Sequence, residues 1–374
     1  MDDDVTPDQR VLLDASARFV EEQYPLTRVR ESAFDDRACA ADYRRQAGDL
    51  GWYSFLVPEE MGGGTVSGNG VVDAALVAYT RGKALQPDPF VGTNVVAYAL
   101  GAEGSEQQRA EVLPALMSGE IGASWAIAAA PGRPALDGAV QAVESSGGDY
   151  VLSGRATFVQ DPGVDGWLLV CAGTVAGPAQ FLVGPGTPGV TVGPLDSLDV
   201  TRRFTEVSLH GTRLPASSVV GVPGGASALV DRQLAVACTL TAAESVGAMD
   251  HELAMTVAYA KERIAFGRPI GSLQAIKHLL ADTSLLVEMS KAVVLAAAQH
   301  VGAGDYGLEA ASAAKALVGD CGMDLAQSCF QVFGGIGFTW EHDQHLYLRR
   351  LTTDAAMYGD PTWHRERICR LSGL

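Results

Sequence analysis

Two arginines bracket the stretch of this sequence best suited to an anionic ligand. In YAKERIAFGRPIGSLQ, residues 259–274, Arg263 and Arg268 flank Phe266 and Gly267, and Pro269, Gly271 and Ser272 follow. A helix end rich in Gly and Pro leaves backbone groups without intrahelical partners. Guanidinium groups beside it can grip a phosphate or pyrophosphate through paired hydrogen bonds. The same residues also fit an ordinary helix C-terminus whose dipole is compensated by Lys261 and Arg263, and on physics alone both readings stay open. Gly334-Gly335, shortly after Gln331, is a second place where backbone can approach a ligand without obstruction by Cβ. His342, Asp343 and His345 lack a third donor at a fitting helical offset, so no metal site is expected. The glycine-rich run MGGGTVSGNG at 61–70 lacks the Lys-Ser/Thr of a P-loop and reads as a flexible connector.

The elements that must position these residues belong to a chain of 374 residues, 47% hydrophobic and 19% charged. That is enough apolar material for more than one packed layer. A net charge of -17 argues against non-specific binding to nucleic acid or to an anionic membrane, and it means that an anionic ligand must meet cations concentrated locally. No run of about 18 uninterrupted apolar residues marks a membrane span. The acidic start, MDDDVTPDQR, has no apolar segment of the signal-peptide kind. Cys39, Cys171, Cys238, Cys321, Cys329 and Cys369 are scattered without CxxC spacing, as expected for reduced thiols in a cytoplasmic protein.

Residues 1–118 read as an N-terminal helical domain, with Thr6-Pro7-Asp8-Gln9 as a cap, a proline at the first helical position and a polar residue at the third. Composition shifts near Gly119. Short alternating runs over 119–222 predict a small antiparallel β-domain. Residues 223–374 return to long apolar-periodic segments, which predict a four-helix bundle. The fold class is α+β. The charged run His364-Arg365-Glu366-Arg367 reads as a solvated helix face.

YAKERIAFGRPIG, followed by SLQAIKHLLAD, and FGGIGFTWEHDQHLYLRR at 333–350 resemble the signatures of the acyl-CoA dehydrogenase family, in the order that family expects. The resemblance covers nearly the whole chain. It implies FAD as cofactor, α,β-dehydrogenation of an acyl-CoA thioester, and an electron-transfer flavoprotein or another acceptor for the electrons. Arg263, Phe266 and Gly267 then fall on an RxxFG element whose Arg meets the flavin pyrophosphate. Gln274 falls on the Gln of the next helix start. Gln331, Gly334 and Gly335 fall on a QxxGG element that approaches the cofactor of a neighbouring subunit. Such sharing implies an oligomer, homomeric or heteromeric, a dimer or tetramer.

The middle domain departs from the pattern. In place of a TEPxAGSD-like loop stands Ala128-Ala129-Ala130-Pro131-Gly132-Arg133, and Trp-Ile-Thr-Asn is replaced by Phe158-Val159-Gln160-Asp161. Phe158 is the aromatic left to stack beside the ring or to pack in the core. The base departs as well. Proton abstraction from the acyl α-carbon calls for a carboxylate. The two positions where members of the resembled family carry that Glu hold Tyr358 and Ala237 here. Glu244, seven residues after Ala237 on the same helix, Asp360, two residues past Tyr358, and Asp231 are conceivable substitutes, each also readable as structural. In actinobacterial steroid- and lipid-degrading members of the resembled family, two unlike subunits can combine, with only one supplying the base. The resemblance therefore implies a base-lacking subunit here, with a self-sufficient dehydrogenase using a relocated carboxylate, or a redox-silent binding or scaffolding paralogue, as the alternatives.

Overall fold

The computed structural model describes residues 1, 5–31, 41–129, 133–304 and 307–374. Cys39 and the Ala130-Pro131-Gly132 part of the substituted loop lie outside them.

The first helix begins where its cap demands. Thr6 Oγ1 accepts from Gln9 N at 3.2 Å and Gln9 Oε1 accepts from Thr6 N at 3.0 Å, a reciprocal box that satisfies two orphan donors. It opens α1 (Pro7–Gln23), followed by α2 (Leu26–Glu31), α3 (Ala41–Asp49), α4 (Gly70–Lys83), α5 (Phe90–Glu103), α6 (Glu106–Glu111) and α7 (Leu113–Met117). The glycine-rich run before α4 is a packed turn rather than a loose connector. A Cβ on Gly63 would sit 1.9 Å from Val57 O, and one on Gly70 would sit 1.8 Å from Phe55 O.

The strands follow: β1 (Ala123–Ala126), β2 (Ala128–Ala129), β3 (Arg133–Pro134), β4 (Val140–Glu144), β5 (Tyr150–Gln160), β6 (Trp167–Thr174), β7 (Gly177–Val183), β8 (Val190–Leu195), β9 (Phe204–Leu214) and β10 (Val219–Val220). The main sheet runs β10-β7-β6-β4-β5-β9-β8 and is mainly antiparallel. β1 and β4 both lie parallel to β6, a detail the alternating pattern does not encode. The β5–β9 register shifts between Ala156 and Val159. This bulge puts Phe158 at φ 53 and turns it out of the sheet core.

Then come α8 (Ser227–Glu262), a short ribbon of β11 (Ile264–Ala265) and β12 (Arg268–Pro269), α9 (Gln274–Ala303), α10 (Gly307–Phe333), α11 (Gln344–Ala356) and α12 (Pro361–Leu371). α8 is the axis of the molecule, packing on α4, α5, α9, α10 and α11. Its middle, from Leu234 to Met249, is buried throughout, as expected of a helix surrounded on all sides. α4 and α8 touch backbone to backbone: a Cβ on Gly82 would lie 1.9 Å from Glu244 O. One cluster of buried apolar side chains joins the N-terminal helices to the bundle, and a second lies within the sheet. On α12 the expected solvated face divides: Arg365 and Glu366 are exposed, but His364 and Arg367 turn inward.

Where α8 meets α11, Glu252 is fully buried and hydrogen-bonded by Gln344 Nε2. Burial pushes its carboxyl up to about 8, only partly offset by that bond. From the ordinary carboxylate range up to about 8, the folded chain keeps a proton that the unfolded chain has released. Stability therefore falls as pH rises through this window, by at most about 1.4 kcal/mol per unit. Glu252→Gln is expected to flatten that slope and raise the melting temperature at pH 8, which thermal unfolding across pH 5–9 reads directly.

Candidate functional site

A cavity of about 210 Å³ opens between the sheet and the C-terminal end of α11. Trp125, Ile127, Ala128 and Phe158 line one side, Thr353, Met357 and Tyr358 the other, and Asp196 and Ser197 the rim. Ligand pockets run to roughly 300–1,000 Å³, so this one suits the flat end of a ligand rather than a whole one. Its walls are aromatic and strained. Phe158 and Tyr358 are two of four described non-glycine residues with positive φ, at 53° and 57°. Such conformations persist only where their surroundings over-determine them, and they gather at functional sites. The Tyr358 ring stacks on Trp125, centroids 6.1 Å apart and planes 28° from parallel.

Tyr358 is no base. Burial raises its phenol above the usual value, and Arg202 opposes this only in part. Ala237, the other position implied for the base, is fully buried. Asp360 caps α12, its Oδ1 accepting from Trp363 N at 2.8 Å, and its other oxygen faces Arg133 at 3.5 Å. Asp231 accepts from Arg367 at 2.7 Å.

Glu244 does not line the cavity. It is buried, with Arg81 Nε at 3.2 Å from one oxygen and Arg202 Nη1 at 3.9 Å from the other. Burial raises its carboxyl, and Arg81, Arg202 and Arg350 pull it back. It belongs to a network from four parts of the chain that sequence reading missed. Arg81 of α4 also pairs with Asp88. Arg202, after β8, holds Asp199 at 2.8 Å and Asp354 of α11. Arg350 of α11 reaches the same Asp199 oxygen at 2.8 Å. The available signal was Asp199-Val200-Thr201-Arg202, alternating charge between two strand patterns, but its partner Asp354 lies too far along the chain to be paired by eye.

The arginine and glycine motifs form a second, outward-facing group. Tyr259 packs on Phe333, ring centroids 4.8 Å apart, which sets the end of α8 against the end of α10. Beside them Arg263, Arg268, Gln274, Gln331, Gly334 and Gly335 are all exposed. Phe266 is 92% exposed at φ 54. A Cβ on Gly267, Gly334 or Gly335 would meet nothing within 4 Å, so backbone there is open to a ligand. Arg263 and Arg268 make no ion pair or side-chain hydrogen bond among the described residues. Two unpaired guanidinium groups beside bare backbone are a donor set that fits the diphosphate of FAD, and an apolar aromatic slot fits its ring. The 13 residues of α11 separate the two groups, roughly 20 Å end to end.

His342 Nδ1 accepts from Gln344 N at 3.1 Å and its ring packs on Phe333, while His345 packs on Trp340. Among the described residues no three His, Cys, Asp or Glu side chains gather as a metal site. Among the described residues no helix is long and apolar enough to cross a membrane.

Residues 6–120 match the acyl-CoA dehydrogenase N-terminal domain, and residues 225–372 match the acyl-CoA dehydrogenase C-terminal domain. The chain belongs to the acyl-CoA dehydrogenase family. Among relatives of this acyl-CoA dehydrogenase-family chain, acyl-CoA dehydrogenase IpdE2 of Mycolicibacterium smegmatis is 31% identical over 324 residues, spanning 86% of this chain and 84% of the relative. The solved ChsE4-ChsE5 complex from Mycobacterium tuberculosis superposes with a TM-score of 0.89 at 27% identity, covering 100% of this chain and 99% of that one. PigA, solved with FAD and proline, has the same fold with a TM-score of 0.89 at 20% identity, covering 100% of both chains. FAD is thus bound by neighbours within this flavoprotein fold.

Proposed function

We propose that this chain is an FAD-binding subunit of an acyl-CoA dehydrogenase that has no general base of its own and completes the site of a partner chain. One observation carries the reading. The cavity wall where the resembled family places a carboxylate presents Tyr358, stacked on Trp125, and each rejected substitute is tied to other groups: Glu244 to Arg81, Asp360 to the α12 cap, Asp231 to Arg367. FAD, when bound, supplies the hydride acceptor for α,β-dehydrogenation. Trp125, Phe158 and Tyr358 would hold its ring end and exclude water. Arg263, Gln274, Gln331 and the open backbone at Gly267, Gly334 and Gly335 would hold its diphosphate and adenosine end.

The roughly 20 Å between the two groups fits a shared arrangement, each chain giving the ring slot to one cofactor and the phosphate grip to another. The exposed Phe266, Phe338 and Trp340 beside the grip are then covered by the neighbouring subunit. The ChsE4-ChsE5 complex supports a heteromer of unlike chains. An acyl-CoA thioester is the substrate class, an electron-transfer flavoprotein or similar carrier the acceptor, and buried free thiols fit a cytoplasmic setting.

Arg263→Met tests the cofactor grip. Losing charge-assisted bonds to a diphosphate costs about 1.5–3 kcal/mol, so FAD affinity, read by titrating flavin absorbance and fluorescence with partner present, is expected to fall about 10–100-fold. Equal affinity in wild type and variant would remove Arg263 from the site.

A further inference from the structure

Lys315 lies on the buried face of α10, 2% exposed, among Ala311, Ala314 and Val318. Its ammonium donates to Ala355 O at 3.0 Å and to Gly359 O at 3.1 Å. His364 of α12, fully buried, places Nε2 at 3.1 Å from Tyr358 O. A carbonyl only accepts, so that nitrogen carries the proton. Burial, Lys315 and Arg367 depress His364 to about 3, so the ring stays neutral. Ala355 O is an orphan carbonyl of the last turn of α11, and a lysine there alone would be an ordinary helix cap. The bonds to Tyr358 O and Gly359 O lie beyond the helix. Three carbonyls around one turn are thus held from two other helices. The turn needs holding: Tyr358 sits at φ 57 and Gly359 at φ 109. A Cβ on Gly359 would meet the Trp363 ring at 2.6 Å and His364 Nε2 at 3.0 Å, so the His364 contact also excludes side chains there.

We propose that Lys315 and His364 are positioning residues, a two-point clamp that fixes the Ala355–Gly359 turn so that Tyr358 stays against Trp125 as a wall of the cavity. The clamp touches no reacting atom. It acts through Tyr358, and its effect on cofactor binding rests on the FAD reading above, whereas its effect on the turn does not.

The test uses the full chain with Lys315→Met and, separately, His364→Leu, each checked for folding by circular dichroism and gel filtration. Hydrogen exchange is followed on peptides covering 355–360. Loss of two buried hydrogen bonds is expected to speed exchange there about tenfold or more in Lys315→Met, with α8 and α9 peptides unchanged. Lys315→Arg, which restores donors, is expected to recover most of the protection. In the same samples FAD affinity is expected to weaken about tenfold. Unchanged exchange at 355–360 in a folded variant overturns the clamp, as does a uniform rise across all peptides, which marks a plain stabilising cap. If Lys315→Met does not fold, His364→Leu decides by the same two readings. A wild type that takes up no FAD overturns the cofactor reading while leaving the exchange result to judge the clamp.

Discussion

Arg202→Met is expected to lower the unfolding free energy by about 3–5 kcal/mol, the cost of breaking a buried ion pair and stranding its partner. Arg202 is 5% exposed and Asp199 is fully buried. Burial alone would raise the Asp199 carboxyl. Arg350 and Arg202 overcome it and hold the group well below the usual carboxylate range, with Thr201 assisting. Asp354 is buried as well and takes the other arm of the same guanidinium. Methionine would leave Asp354 without its cation and Asp199 with only Arg350. Since a depressed carboxyl contributes stability that is lost as pH falls through its folded value, the variant should also begin acid unfolding at a higher pH than wild type. Urea unfolding at neutral pH reads the main effect. Arg268→Met, an exposed and unpaired site, is the control and should change stability by no more than about 0.5 kcal/mol. A loss below about 1 kcal/mol for Arg202→Met would mean that the network does not join sheet, α4 and α11 as described.

On the proposed function, Tyr358→Glu is expected to let the chain oxidise an acyl-CoA without a partner. A carboxylate at this position would face the cavity from the strained turn, where the resembled family keeps its base. General-base catalysis contributes about 10²–10⁴-fold, so acyl-CoA-dependent dye reduction by the FAD-loaded variant should exceed wild type by at least about 100-fold. Tyr358→Gln, of the same shape without the proton-accepting group, separates chemistry from space. An equal gain in both variants would show that removing the tyrosine ring matters and the carboxylate does not. No gain in Tyr358→Glu, with FAD bound, would place the missing function elsewhere.

The sequence carried the architecture because its signals are local. The Thr6–Gln9 box, the helical periodicities and the short alternating strand patterns each depend on neighbours a few residues apart. The arginine and glycine motifs were also legible, being short and contiguous. Features made by distant residues were not. Arg202 meets Asp354 across 152 positions, and nothing near either residue announces the other. Lys315 carries no local signal beyond being one lysine on the otherwise apolar buried face of α10. His364 and Arg367 read as solvated because a charged run usually is, yet these two, one turn apart, share the inward face of α12. The parallel pairing of β1 and β4 with β6 depends on chain path, which an alternating pattern leaves open. Phe158 lines the cavity because a bulge reverses its direction, and a bulge is a mismatch between two strands that neither strand shows by itself.

On the proposed function, the chain holds FAD and lacks the base. Mixing the FAD-loaded chain, alone and without oxygen, with a series of acyl-CoA thioesters while following the absorbance of the oxidised flavin tests this most directly. The flavin is expected to stay oxidised with every thioester, to be reduced by dithionite, and to be reduced by thioester once a base-carrying partner chain is added. Bleaching by an acyl-CoA in the absence of any partner would contradict it.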